Sequence, residues 1–234
     1  MAADVHSAVE FYATALGAAA GALVADRLGR LWPDLHDAQV LGLGFAPPYL
    51  RQWRAQGARC LAAIPAQLGV ARWPIDCPNL SCTVEEDALP FADLEFDRIL
   101  LVHGLEAAEN ARRLLREVWR VLRDDGRLLV VAPNRMGMWA HVEATPFGHG
   151  QPYSPGQIGR LLAASMFRVE RRDTALYGPP VRIAALGGHA WDRIGRRIAP
   201  NFAGVTITEA VKDAYAAIPA GRAMSRRLVL AAPT

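Results

Sequence analysis

The sequence predicts an α/β domain built on a doubly wound parallel sheet. Short apolar runs ended by Gly or Pro alternate with amphipathic segments along most of the chain. One run, Arg127 to Ala132, is almost wholly apolar, as a strand buried on both faces requires. With 234 residues, 52% of them apolar, the chain is also long enough for one domain with a sizeable core.

The elements follow in order. A helical region spans about 7–31, with Phe11, Leu16, Leu23, Leu28 and Leu31 available for an inner face. Beyond Pro33, residues 38–43 read as a strand, Gly44-Phe45-Ala46 as a turn, and Pro47-Pro48 as the start of a helix to about Gln56. Residues 59–64, 80–84 and 96–102 give three more strands, the first ended by Pro65 and the second leading into Glu85-Glu86-Asp87. The clearest helix runs over about 108–123, where Leu114, Leu115, Val118, Val121 and Leu122 recur at helical spacing opposite a row of arginines, with Gly126 as its C-cap. Ser154, Pro155 and Gln157 have the spacing of a capping box that opens a further helix. Late strands are expected at 167–174 and 226–231, with two helices in the less regular stretch between them.

Composition narrows the function classes. The uncharged, mostly apolar stretch Phe11 to Ala25 is shorter than the roughly 18–20 apolar residues of a membrane span, so no membrane partner is expected. Asp4 and Glu10 stand where a secretory leader would carry bases, which favours a cytoplasmic location. Cys60, Cys77 and Cys82 are too few and too irregular for a disulfide framework or a C-x-x-C zinc site. His141, Glu143 and His149 fit no zinc spacing, so no metal is expected. Net charge runs −3 over residues 1–50, −1 over 51–159 and +7 over 160–234. The basic last third would suit an acidic partner, but its arginines are not interleaved with stacking aromatics, which argues against nucleic acid.

In an open parallel sheet a ligand sits beyond the carboxyl ends of the strands, where strand order reverses. The candidate places are therefore 42–48, 64–66, 85–87 and 103–106, with the long Gly-, Pro- and aromatic-rich segment 133–153 as a lid or as a rigid loop over the sheet.

Four pieces in register, Ala88-Leu89-Pro90-Phe91, Glu95-Phe96-Asp97-Arg98-Ile99-Leu100, Leu115 to Leu122 and Gly126-Arg127-Leu128-Leu129-Val130, resemble the class I S-adenosylmethionine (SAM)-dependent methyltransferases, in their type 11-like group. The resemblance covers about 40–167 and implies a Rossmann-like seven-stranded sheet with its last strand antiparallel. On that pattern the chain divides into an N-terminal helical cap (1–35), a core (36–175), a helical insertion (176–220) and the last strand (221–234).

The resemblance also implies a cofactor site at Gly42, Gly44, Ala46, Glu85, Asp87 and His103, with His103, His141 and Tyr153 as candidate catalytic bases. The cofactor motifs depart from the family pattern. Gly42 stands at the acid that ends the first strand, Ala46 at the second glycine of the turn and Pro48 at the third, and the second strand ends in Ile64-Pro65-Ala66-Gln67 with no carboxylate. Two readings are therefore open: a SAM-dependent methyltransferase whose acceptor the sequence does not name, or a methyltransferase-like protein without catalysis that binds or regulates a protein partner; the partner expected is a small-molecule substrate or another protein.

Overall fold

The computed structural model describes residues 5–69, 72–75, 77–181 and 188–213. Seven strands form one sheet: β1 (Gln39–Gly44), β2 (Arg59–Pro65), β3 (Ser81–Val84), β4 (Phe96–Val102), β5 (Leu122–Pro133), β6 (Phe167–Ala175) and β7 (Val205–Lys212). Their order is β3-β2-β1-β4-β5-β7-β6. β7 runs antiparallel to both of its neighbours, and β1 to β5 are parallel. Strand order reverses between β1 and β4, which opens the crevice for a ligand at their carboxyl ends.

Six helices cover the two faces: α1 (Val5–Ala13), α2 (Ala15–Leu31), α3 (Pro47–Arg54), α4 (Ala111–Val121), α5 (Pro155–Ala164) and α6 (Gly188–Ile198). Alternation along each strand sorts the apolar side chains. Val40, Leu100, Val102, Leu129 and Val131 join α2 and α3 in one core, where Leu28, Trp32, Tyr49 and Trp53 are buried. Leu41, Leu43, Ile99, Leu101, Leu128 and Val130 join α4 and α5 in the other.

Side-chain caps fix the helix starts. Asn110 accepts from the Arg113 N–H at the head of α4, and Ser154 with Gln157 forms the expected capping box on α5. Thr14 accounts for the first departure from expectation. Its hydroxyl accepts from the Gly17 N–H and caps α2, so the N-terminal helical stretch is broken into α1 and α2. Gly17 allows the fold-back, because a Cβ there would lie 1.9 Å from the Phe11 carbonyl oxygen.

Two further boundaries move. α4 ends at Val121, and Leu122 is already extended and paired with Phe96, so Gly126 lies inside β5 rather than capping the helix. The antiparallel strand is Val205–Lys212, within the stretch read as a helical insertion; the described residues of that stretch also hold the helix α6 and a short turn at Pro200–Phe202. Residues 226–231, expected to form that strand, lie outside the described residues. The polar letters of β7 disguise it. Thr206, Thr208 and Glu209 are all buried, and the Glu209 carboxylate is held by Trp32 Nε1 at 2.8 Å and by the Arg171 guanidinium. Burial raises the Glu209 pKa, but the bonds from Arg171 and Trp32 outweigh it and hold the group below the usual carboxylate range.

The loop after β3 is fastened to α4. Arg120 donates to the carbonyls of Leu89 and Phe91, each at 2.8 Å, and Glu117 accepts from the Leu89 N–H at 2.9 Å while pairing with Arg120 at 2.8 Å. Hydrogen bonding from Arg120 holds the Glu117 carboxyl below its ordinary 4.5. Its contribution to stability is therefore complete above about pH 4.5 and is lost as pH falls through the lower folded value. Replacing Glu117 by Gln is expected to flatten the acid limb of the stability profile, and Arg120→Ala to cost about 2–3 kcal/mol by leaving Glu117 and two carbonyls unpaired. Urea denaturation across pH measures both.

Candidate functional site

The crevice begins at the end of β1. Gly44 has φ +82°, and a Cβ there would lie 2.1 Å from the Val102 carbonyl oxygen, so the β1 turn lies directly against β4. The Phe45 N–H donates to that same carbonyl at 2.7 Å. Gly44 is thus fixed by packing, and a side chain there would disturb the fold before it tested any ligand.

Gly42, at the position of the family's acid, is explained by its neighbours. A Cβ at Gly42 would meet both the Ala46 Cβ and the Leu50 Cδ1 at 2.7 Å. Ala46 is fully buried. The two departures from the family pattern therefore compensate each other: the methyl group at 46 fills the room that a side chain at 42 would need.

Over this turn lies a cluster of aromatic rings. Phe45 is buried against Ala8, Ile64 and Leu68, and Tyr12 of α1 stacks on it at 5.5 Å between ring centroids. The Tyr12 hydroxyl is 2.9 Å from that of Tyr49 and 3.0 Å from His103 Nε2. Phe147, from the 133–153 segment, closes on the His103 ring at 4.8 Å and also meets Phe11 and Trp139. Burial, then the neighbouring Tyr49 and Glu106, push the Tyr12 phenol well above 10, and burial does the same to Tyr49. Burial and Glu106 likewise raise Tyr153, which is therefore a neutral phenol at physiological pH.

His103 follows β4 directly, is buried, and has φ +53°, a conformation that costs a non-glycine residue on the order of 1–3 kcal/mol. Its Nδ1 is 3.1 Å from Glu106 Oε1. Glu106 is buried too, and its Oε2 has no hydrogen-bond partner. A histidine oriented on one nitrogen by a carboxylate is a proton acceptor at the other, and here that other nitrogen faces Tyr12. His141 is exposed on the outside of the segment, with Nε2 3.1 Å from the Arg135 carbonyl oxygen, and it does not join this group.

Beside the aromatic cluster is a polar pocket of about 240 Å³ at the ends of β2 and β3. Glu85 and Asp87 line it, with Asp87 paired to Arg113 at 3.2 Å. The acid turned inward is Glu86, which accepts from Gln67 Nε2 at 2.6 Å and from the Asn110 N–H at 3.0 Å. Gln67, just beyond β2, is thus held by Glu86. Glu86 and Glu106 fall within the candidate stretches 85–87 and 103–106 but are not among the site residues named from the sequence, since only the chain's path at the strand ends shows which acid points inward. Among the described residues no three His, Cys, Asp or Glu side chains are grouped to hold a metal ion.

Strand order and the antiparallel β7 define the Rossmann-like fold of class I methyltransferases. Residues 19–130 match the family model described as a methyltransferase domain. A solved SAM-dependent methyltransferase from Thermotoga maritima is similar in fold at TM-score 0.60 and 14% identity, the match covering 89% of this chain and 96% of that one. Among curated proteins, an uncharacterized protein of Mycobacterium tuberculosis is 32% identical over 101 residues, which are 40% of this chain and 35% of that protein. A demethylmenaquinone methyltransferase of Deinococcus radiodurans is 32% identical over 107 residues, 44% of this chain and 43% of that enzyme. The chain thus matches well under half the length of each curated relative. No helix among the described residues is long and apolar enough to cross a membrane.

Two measurements test this geometry. Gly42→Asp, which restores the family's acid, is expected to destabilise the fold by about 2–3 kcal/mol through overpacking and burial of a charge, and adding Ala46→Gly should recover part of the loss. Equal losses in the single and double variants would show that Ala46 is not the obstacle. The raised phenols predict the alkaline limb: stability is intact below about pH 10 and falls above it, because the unfolded chain ionises first. Tyr12→Phe should make that fall shallower in chemical denaturation.

Proposed function

We propose that the chain is a SAM-dependent methyltransferase whose crevice is covered by α1 in the conformation described. The observation that carries this reading is the pairing of an acid-lined pocket at the ends of β2 and β3 with the His103–Glu106 dyad at the end of β4, on either side of the crevice. The residues fit the nucleoside portion of the cofactor: Gln67, Glu85, Glu86 and Asp87 offer acceptors to hydroxyl and amino groups in the 240 Å³ pocket. Beside His103 the space is taken by Tyr12, so access to the dyad requires Tyr12 to leave.

When bound, the cofactor supplies an electrophilic methyl group. The protein's own contribution is to exclude water with Phe11, Phe45, Trp139 and Phe147, and to take a proton on His103 Nε2 from an acceptor that carries one. Glu106 orients that ring through Nδ1 and stabilises its protonated form. Tyr153 is a hydrogen-bond donor in this arrangement rather than a base.

The second reading, a non-catalytic methyltransferase-like protein that binds a protein partner, is favoured by one specific observation. The Gly42–Ala46 exchange and the stacked Tyr12 and Phe45 make a closed, well-packed turn.

Calorimetric titration with SAM and with its demethylated product separates the two. The first reading expects binding that Glu85→Ala weakens by about tenfold, the equivalent of one hydrogen bond to a charged group. Tyr12→Ala, which removes the cover, should strengthen it, since a ligand then no longer works against a closed state. Tyr12→Phe, which keeps the stack on Phe45 but drops the link to His103, should fall between. No heat from the wild-type chain or from either Tyr12 variant at millimolar ligand would sink the first reading and leave the second.

A further inference from the structure

α6 has an outward surface that no other described element packs against. Its inner side is fastened by the buried Asp192, which accepts from the Tyr177 N–H at 3.0 Å, and by Gly195 against the Tyr177 ring. Outward, Trp191, Ile194 and Ile198 stand 49%, 53% and 76% exposed at helical i, i+3, i+7 spacing, forming a continuous apolar ridge. Phe202, just beyond the helix, is exposed as well, as are Met136 and Met138, whose neighbour Gly137 packs directly on Ala203.

Alongside the ridge runs a cleft of about 350 Å³ between α2 and α6, lined by Arg27, Arg30, Arg193, Arg196, Arg197 and a single acid, Asp26. Five guanidiniums converge there, and the carboxylates nearest them are Asp26, 2.9 Å from Arg30, and Asp192, 3.5 Å from Arg27. Arg27 is only 6% exposed, and its Nε, like the buried Nε of Arg196, has no hydrogen-bond partner. Buried guanidinium donors beside an excess of positive charge leave room for an anionic group with several acceptor oxygens.

We propose that this surface docks the protein on an anionic phospholipid membrane, with the ridge entering the headgroup boundary and the cleft taking lipid phosphate. A helix with Trp and Ile on one arc and arginines on the adjoining one has the pattern of an interfacial anchor. Nucleic acid would use the arginines but has no use for exposed aliphatic side chains, and an acidic protein would not need them to be contiguous. The docking is peripheral and consistent with the absence of a spanning helix among the described residues. It does not depend on the reading of the crevice.

The test is co-sedimentation of the full chain with vesicles of phosphatidylcholine alone and of phosphatidylcholine mixed with phosphatidylglycerol. Binding is expected to the mixed vesicles only and to weaken with added salt. Each basic residue near an anionic surface contributes about fivefold to partitioning, so Arg193→Glu with Arg197→Glu should lower it by at least about twenty-fold. Ile194→Ser with Ile198→Ser should lower it without touching any charge, and all four positions are exposed or half-buried, so circular dichroism should be unchanged. Failure to bind the mixed vesicles, equal binding to phosphatidylcholine alone, or indifference to either double variant would overturn the proposal. Retention on a single-stranded oligonucleotide that the arginine variant loses and the isoleucine variant keeps, without vesicle binding, would overturn it in favour of nucleic acid.

Discussion

The structure depends on the contact between the end of β1 and the end of β4. Because Gly44 has no side chain, the turn can lie against the Val102 carbonyl, which the Phe45 N–H then satisfies at 2.7 Å. That bond points Phe45 toward Ile64 and Leu68 and starts α3 at Pro47, which needs no N–H partner in the first turn. Phe45 in turn provides the platform on which Tyr12 stacks, and Tyr12 brings α1 to His103. The close approach of β1 to β4 and the cover over their ends thus both run through Phe45.

The motifs that carry the family resemblance are largely structural. Leu89-Pro90-Phe91 and the run from Leu115 to Leu122 lie apart in sequence but are one unit in space, since Glu117 and Arg120 hold the backbone of the former. Their co-occurrence records a loop fastened to a helix. The loop so fixed is the one that carries Glu85, Glu86 and Asp87, so a clamp remote from any chemistry sets the wall of the polar pocket.

What the sequence makes legible follows from how local each cause is. β4 is an unbroken apolar run, and the α5 capping box lies within four residues, so both can be read directly. The break at Thr14 depends on Gly17 meeting a carbonyl six residues earlier across a reversal, which no periodicity displays. β7 was hidden because the polar groups of Thr206, Thr208 and Glu209 are taken into the interior, where Glu209 finds partners just past the end of α2 and on β6. At the crevice the glycines and the acidic run locate the strand ends. The inward turn of Glu86, and the bond from Glu106 that gives His103 its orientation, emerge only when those ends are brought together.

The place of β7 in the sheet bears on how the chain is made. β5 and β6 are successive strands, yet they do not touch: β7, the last of the described strands, lies between them and supplies pairing to both. As the chain leaves the ribosome, β1 to β5 can assemble from parallel neighbours already present, while β6 has no edge to join until residues 205–212 follow. Until then β5 presents an unpaired, apolar edge of the kind that recruits other chains. The interval between synthesis of β5 and of β7 is therefore the period in which a nascent molecule is most exposed to aggregation, and a chaperone would act most usefully there.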